Sequence, residues 1–488
     1  MCNMDRKGKQ KDRGRLADGI VFAAVLTAVS ALTLMLFYRQ TLGGVDSDMK
    51  AYILEMQGLE SGYSFPYPVF FKLAALIHLF APPEWSVAIT VTLLNGLAMA
   101  VTKLALDHMV LPGLERGFRK RFGRNGTGVC CWLPRVLVSF LAFSLFFISM
   151  LYPPPGIYLP GIRFRYVGVF TANPFHNATF MAARPFAILA FLWYVKLLPV
   201  YEKGPGQWQG KVSLRNPDGP AGDGTDKKAN PADYVLFSLF LFLATMTKPS
   251  FTLVLVSTAG LLMLYRLIRC GFRNFLPAVQ LGLCFVPTFG ALLYQYKGVF
   301  VPGEGQEGGI GFCLGDVWAD YCDNIPLGIG LAIGFPLLVL VFNRKQCGKN
   351  TLFRFSWQMY LVSLAEAFFL YEKGFRKVDF NFSWGYMYGI FFCHLGALVV
   401  LLGQTGKLLE GKSCALGETP ACKEKADGKR RLPGKTKFPG PDAVPGNGKA
   451  STRGADSIWI SLQWLAYLAH LLCGLLYFKD LLLGGTYY

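Results

Sequence analysis

Charge is what this sequence has least of. Asp, Glu, Lys and Arg make up 16% of its 488 residues, against ~25% in an ordinary soluble domain. Hydrophobic residues reach 53% and aromatics 15%. A soluble fold of that composition would lack the polar surface to cover its core. With a mean hydropathy of +0.36, the chain reads as an all-α polytopic membrane protein. Disorder, a fibrous repeat and a secreted disulfide scaffold are excluded. Other signals are missing too. The twelve cysteines contain no C-x-x-C pair, and His78, His108, His176, His394 and His470 show no ligand spacing, so no zinc site is legible. There is no Walker A loop and no G-x-G-x-x-G, hence no nucleotide cradle. No internal repeat is visible, which argues against an inverted-repeat transporter.

What is present sorts by hydrophobic runs. Apolar stretches predict about eleven transmembrane helices (range 10–13) at 16–37, 85–107, 133–152, 179–200, two short spans within 234–267, then 278–296, 326–343, 352–371, 384–403 and 457–478. The first is too long for a signal-peptide core and has no small-residue cleavage site after it. Residues 67–80 are apolar but short, and Lys72 and His78 interrupt them. They are expected to lie flat in the interface as a juxtamembrane helix. The chain then divides into a basic tail (1–15), a transmembrane module (16–403) with a first loop at 38–84 and a linker at 201–232, a basic loop at 404–455, and a last span with a short tail (456–488).

The net charge of +19 would raise nucleic-acid binding in a soluble protein. Here the positive-inside rule accounts for it. Six basic residues precede the first span, eleven lie in 404–455, and Arg116, Arg119, Lys120, Arg121 and Arg124 share one loop. The basic residues therefore sort to one face. That places the N-terminus in the cytoplasm of a plasma-membrane protein, expected to be bacterial, and removes the need for a nucleic-acid partner.

Ionisable residues on the other face need a separate reason, because such groups near a membrane are costly. They are Asp46 and Asp48 in GGVDSDMKAY, Arg163 and Arg165 in GIRFRY, His176 and Arg184 in NPFHNATFMAARPF, Lys248 in ATMTKPSF, Glu372 and Arg376, with the polar amide Asn381 beside them, in YEKGFRKVDFNFSWGY, and Glu366 inside a span. Each has a plain structural alternative. The aspartates suit a helix cap near Met49, the arginines snorkelling to headgroups, His176 a structural role, Lys248 an interfacial anchor, and Glu366 helix packing. Taken together, two close carboxylates and several cations among aromatics suit an anionic lipid-linked substrate and an acceptor that loses a proton. A D-x-D pair can also hold a divalent cation through oxygen ligands. Cys313 and Cys322 share one loop and are near enough in sequence to pair.

In these segments the chain resembles the GT-C superfamily of membrane glycosyltransferases. The matching features are a first span followed by an acidic loop (VDSDMKAY), then Gly62-Tyr63…Pro66-Tyr67-Pro68 before a juxtamembrane helix. A short hairpin follows with Lys248 at its turn, and the Tyr371–Tyr386 stretch is similar to one in bacterial members. The resemblance implies transfer of a sugar from a polyprenyl-phosphate carrier to an envelope glycan, lipid or protein acceptor on the extracytoplasmic face. Transfer would be inverting, in a single displacement. Asp48, with Asp46 beside it, would act as general base, with Mg or Mn as an optional metal on the same pair. Lys248, Arg163, Arg165 and Arg376, with His176, Arg184, Glu372 and Asn381, would bind the lipid phosphate or sugar. A transporter or flippase of lipid-linked glycan and a non-catalytic scaffold remain as alternatives.

Overall fold

The computed structural model describes residues 2–123, 129–152, 167–202, 230–299, 309–411 and 448–485, with the backbone alone at 2–13, 129–131, 167–168, 202, 298–299, 375 and 448–455. The helices are α1 (Cys2–Thr41), α2 (Met49–Met56), α3 (Val69–His78), α4 (Pro83–Met109), α5 (Leu111–Phe122), α6 (Val129–Ser144), α7 (Ala178–Glu202), α8 (Pro231–Thr247), α9 (Ser250–Arg269), α10 (Phe275–Leu283), α11 (Val286–Val299), α12 (Asp316–Ala319), α13 (Ile325–Phe342), α14 (Arg344–Lys349), α15 (Thr351–Phe369), α16 (Ser383–Leu409) and α17 (Gly448–Leu482). Two three-residue strands, β1 (Ile310–Phe312) and β2 (Leu370–Glu372), pair antiparallel.

The chain is an all-α, multi-pass architecture, and a helix stands at each of the eleven expected places. They are not eleven equal spans. Seven are long and apolar enough to cross a membrane, and an eighth is the α10–α11 pair, bent by 50°. Helices Trp132–Ser144 and Pro231–Thr247 are shorter, and α15 carries Arg354 and Glu366. The basic tail 1–15 continues α1 as helix. The helix expected over 133–152 stops at Ser144, and the next eight residues run irregular and buried. Their backbone finds partners on neighbouring helices: Ser149 N–H donates to the His470 carbonyl at 3.2 Å and Leu151 N–H to the Leu331 carbonyl at 3.0 Å. Unwound backbone is tolerated there because protein, not lipid, satisfies it. Most of the linker 201–232 and of the loop 404–455 lies outside the described residues, as do Arg163 and Arg165. A short apolar helix, α3, stands within the segment expected at the interface. It turns Phe70, Phe71 and Ala74 inward and leaves Leu76, Leu79 and Phe80 exposed. Cys313 and Cys322 are both free thiols, which corrects the pairing raised above. The Cys313 thiol donates instead to the Phe368 carbonyl at 3.6 Å.

The centre of the bundle is α16, buried along its apolar length. It is hydrophobic all round, as a helix enclosed by others must be. Close approach to α15 depends on missing side chains. A Cβ on Gly389 would fall 2.2 Å from Ser363 Oγ and 3.2 Å from Tyr360 Cα, and one on Gly396 would fall 2.5 Å from Ser356 Oγ. Small residues let backbones meet in this way without a hydrophobic drive between helices. Ion pairs gather at one end of the bundle, where Lys103 meets Asp18 at 3.0 Å and Asp107 at 2.5 Å, and Lys196 meets Asp233 at 2.7 Å.

Gly389→Val should cost about 1–3 kcal/mol of stability through overpacking, seen as a lower melting temperature in detergent. Gly260→Val, where a Cβ meets nothing within 4 Å, should melt like the native chain. Equal melting of the two would show that α15 and α16 do not pack as described.

Candidate functional site

At the other end of the bundle, the α8–α9 hairpin turns on Thr247-Lys248-Pro249. A residue before proline is pushed out of the helical region, and Lys248 is accordingly extended, at φ −165° and ψ 126°. Helix α8 stops there and α9 restarts one residue beyond the proline. The Thr245 and Thr252 hydroxyls, 2.8 Å apart, hold the two helices at the turn. The Lys248 side chain is 8% exposed. Its ammonium donates to Thr179 Oγ1 at 3.3 Å and stands 5.1 Å from the centroid of the Trp384 ring. Buried Lys103 and half-buried Lys196 have carboxylate partners, but among the described residues Lys248 has none in ion-pair range.

A line of hydrogen bonds runs from Lys248 to the first loop. Thr179 Oγ1 lies 3.2 Å from the Tyr52 hydroxyl, and Tyr52 O–H donates to Asp48 Oδ2 at 3.0 Å. Asn177 does two jobs: its Oδ1 accepts from Phe180 N–H at 3.0 Å, capping α7, and its Nδ2 faces Asp48 Oδ2 at 3.5 Å. Asp48 itself occupies the N-cap position of α2 without a side-chain cap bond. The cap alternative therefore does not describe it; its carboxylate turns to the residue four places on. Asp46 is exposed and makes no side-chain hydrogen bond or ion pair among the described residues.

The third contribution comes from Tyr371–Trp384. Strand β2 pairs Glu372 with Ile310 and Tyr371 with Gly311, and the Tyr371 ring covers Gly311, where a Cβ would fall 2.4 Å from it. A 3₁₀ turn (Gly374–Asp379) then presents Arg376, whose Nε lies 3.0 Å from Glu372 Oε2 and 3.6 Å from Asp379 Oδ2. Asn381 Nδ2 donates to the same Glu372 oxygen at 2.9 Å, and its Oδ1 accepts from the Trp384 indole at 3.2 Å. Between the turn and α16, Phe380 adopts φ +48°. That conformation strains a bulky residue by about 1–3 kcal/mol and is held by packing on Trp318 and Tyr321.

These elements enclose a cavity of about 400 Å³. Its polar lining includes Tyr67, Lys248, Glu372, Arg376, Asn381 and Trp384, and Glu366 also reaches it; Leu253, Leu292 and Tyr296 form an apolar wall. Five sequence candidates thus meet in one cavity: Lys248, Glu366, Glu372, Arg376 and Asn381. Asp48 stands beside it, near enough for its charge to act on Lys248 and Tyr67. Two others stand elsewhere. Arg184 is 1% exposed, donates to the Ala172 carbonyl, and lies 5.3 Å from each of the Phe146, Phe180 and Phe391 rings. His176 is buried against Trp384, with ring centroids 5.4 Å apart. Neither lines the cavity. Sequence reasoning missed Tyr52, Thr179, Ser257 and Gln295. The i, i+4 spacing of Asp48 and Tyr52 on a helix was the one available signal.

Burial sets the electrostatics. It lowers Lys248 to about 8; the neighbouring Asp48 and Glu372 charges oppose the shift and Arg376 adds to it. Burial, then the Lys248 charge, lowers His176 to about 3, so its imidazole is neutral at pH 7. Burial raises the Glu372 carboxyl against the pull of Arg376 and Asn381. The donor set does not fit a resident Mg or Mn. Asp48 Oδ2 is met by a phenol and an amide N–H, and among the described residues no three His, Cys, Asp or Glu side chains gather.

Comparison of the chain with protein-family models, curated proteins and solved structures finds no match. Fold and site define a multi-pass helical membrane protein with an aromatic cavity, lined by two cations and two carboxylates, at one end of its bundle.

If Lys248 holds an anion there, binding of farnesyl phosphate should weaken as pH rises through about 8, since the ammonium is charged below that value. Lys248→Arg, which stays charged, should flatten the pH profile. Tryptophan quenching in nanodiscs would measure both. A profile unchanged between pH 7 and 9 in the native chain would remove Lys248 from the anion site.

Proposed function

We propose that the protein is an integral membrane glycosyltransferase of GT-C type. It moves a sugar from a polyprenyl-phosphate carrier to an envelope acceptor on the extracytoplasmic face of a bacterial plasma membrane. Its N-terminus lies in the cytoplasm. The observation that carries this reading is the pairing of a carboxylate-free buried lysine with an apolar cavity wall, joined by hydrogen bonds to an exposed aspartate. A lipid phosphate has the matching halves, an anion and a hydrocarbon chain.

The chemistry follows from these positions. Asp48 takes the proton from the acceptor hydroxyl, and that oxygen attacks the anomeric carbon on the face opposite the carrier. The bond from carbon to the phosphate oxygen breaks, and its electron pair leaves with the lipid phosphate. Lys248 and Arg376 stabilise that leaving anion, the contribution expected of fixed cations where charge develops. The Tyr52 and Asn177 donors orient the Asp48 carboxylate. Inversion follows from the single displacement. A transporter or flippase of lipid-linked glycan is the second reading. Glu366, an ionisable group within α15, favours it, because such residues mark transport paths.

Asp48→Asn should leave the protein folded and lower sugar transfer ~10²–10⁴-fold, the worth of a general base. Asp46→Asn, at an exposed carboxylate without partners, should change transfer less. Purified protein, polyprenyl-phosphate sugars and membrane acceptors would be followed by release of the carrier phosphate. A fully active double mutant would refute the mechanism, and vesicle flipping assays would then take precedence.

Lys248→Ala should weaken farnesyl phosphate by about ten- to a hundred-fold, the loss of one charge-assisted contact. Unchanged affinity in a folded variant, judged by its melting temperature, would put the carrier elsewhere.

A further inference from the structure

The cavity is chemically divided. Its mouth holds Lys248, Arg376, Glu372 and Asn381. Its inner part is reached down α9: Ser257 lies seven residues beyond Ser250, about 10 Å along the axis, and hydrogen-bonds the Glu366 carboxylate. Gly385 leaves that carboxylate uncovered. A Cβ there would fall 2.5 Å from Val254 and 3.9 Å from Glu366 Oε2. Gln295, which also lines the cavity, is 4% exposed. Its Nε2 donates to the Thr245 carbonyl at 2.9 Å, which fixes the amide, and its Oε1 is a buried acceptor without a donor among the described residues. A buried acceptor left unmatched costs about 1–3 kcal/mol, and this one belongs to a residue that lines the cavity.

We infer that Glu366, Ser257 and Gln295 form a subsite for the hydroxyl-rich ring of a neutral sugar, distinct from the anion-holding mouth. Both Gln295 Oε1 and the Glu366 carboxylate accept hydrogen bonds, so the ligand must bring donors. An ammonium ligand also brings donors, but Lys248 and Arg376 offset the Glu366 and Glu372 charges in the same cavity, so its own charge gains little there. A sugar ring supplies several hydroxyl donors without charge, and the apolar wall of Leu253, Leu292 and Tyr296 suits its C–H faces. The inference rests on the glycosyltransferase reading and assigns its sugar to named residues.

The test uses the full chain in nanodiscs and three classes of probe: farnesyl phosphate, farnesyl-phosphoryl hexoses and pentoses, and the corresponding methyl glycosides. In the native chain at least one sugar-bearing probe should bind about ten-fold tighter than farnesyl phosphate. Gln295→Leu and Glu366→Ala should each erase that increment and leave farnesyl phosphate affinity unchanged, whereas Lys248→Ala should weaken both lipids alike. Glu366→Gln, which keeps an acceptor oxygen, should retain part of the increment and serves if Glu366→Ala does not fold. Methyl glycosides competing through Gln295 would identify free sugar as a ligand, and competition by the lipid-linked probes alone would identify the carrier-bound sugar. An increment intact in folded Gln295→Leu and Glu366→Gln overturns the subsite. So does tight octylammonium binding that depends on Glu366. Native chain that binds methyl glycosides through Gln295 but no farnesyl phosphate would overturn the carrier reading and leave the subsite standing. Binding of neither class overturns both.

Discussion

An ammonium taken out of water costs several kcal/mol unless neighbours replace its hydration, and the cavity end of this protein is arranged around one such group. Lys248 is answered by a hydroxyl, an indole face and, at longer range, the charges of Asp48 and Glu372. Each of these comes from a different part of the chain. Thr179 opens α7, Trp384 opens α16, Asp48 precedes α2, and Glu372 ends β2. Helix ends that would otherwise be free to splay are therefore tied to one point. The contrast with Lys103, closed between two aspartates at the far end of the bundle, separates a cation that stabilises helices from one kept available.

Much of the fold was legible because its signal is compositional. Apolar runs long enough to cross a membrane announce themselves, and each expected helix stands where its run lies. What the runs could not convey was how a helix is supported. The chain after Ser144 is as apolar as a span, yet it unwinds, because the carbonyls of His470 and Leu331 are there to receive its N–H groups. The central place of α16 was equally hidden, since it rests on glycines whose meaning appears once α15 lies against them.

The site was legible where residues looked out of place by charge. Lys248, Glu366, Glu372, Arg376 and Asn381 stood out for that reason or by neighbourhood, and they share a cavity. Charge alone does not tell which way a helix faces, so Arg184 was grouped with them although its guanidinium is enclosed by three phenylalanine rings. Neutral partners gave no signal. Tyr52, Thr179, Ser257 and Gln295 are ordinary residues in a membrane helix or loop, and their roles arise from which atoms they meet.

The length of α8 carries a consequence for the surroundings of the protein. Its 17 residues rise about 26 Å, short of the ~30 Å hydrocarbon core of a typical bilayer. A bilayer spanned by α8 would therefore either leave the turn bearing Lys248 below the headgroups or thin beside the helix to meet it. Such mismatch costs fractions of a kcal/mol per Å, so acyl-chain length becomes a variable of the cavity's surroundings: thin membranes would relieve the strain at this turn, and thick ones would draw hydrocarbon over it.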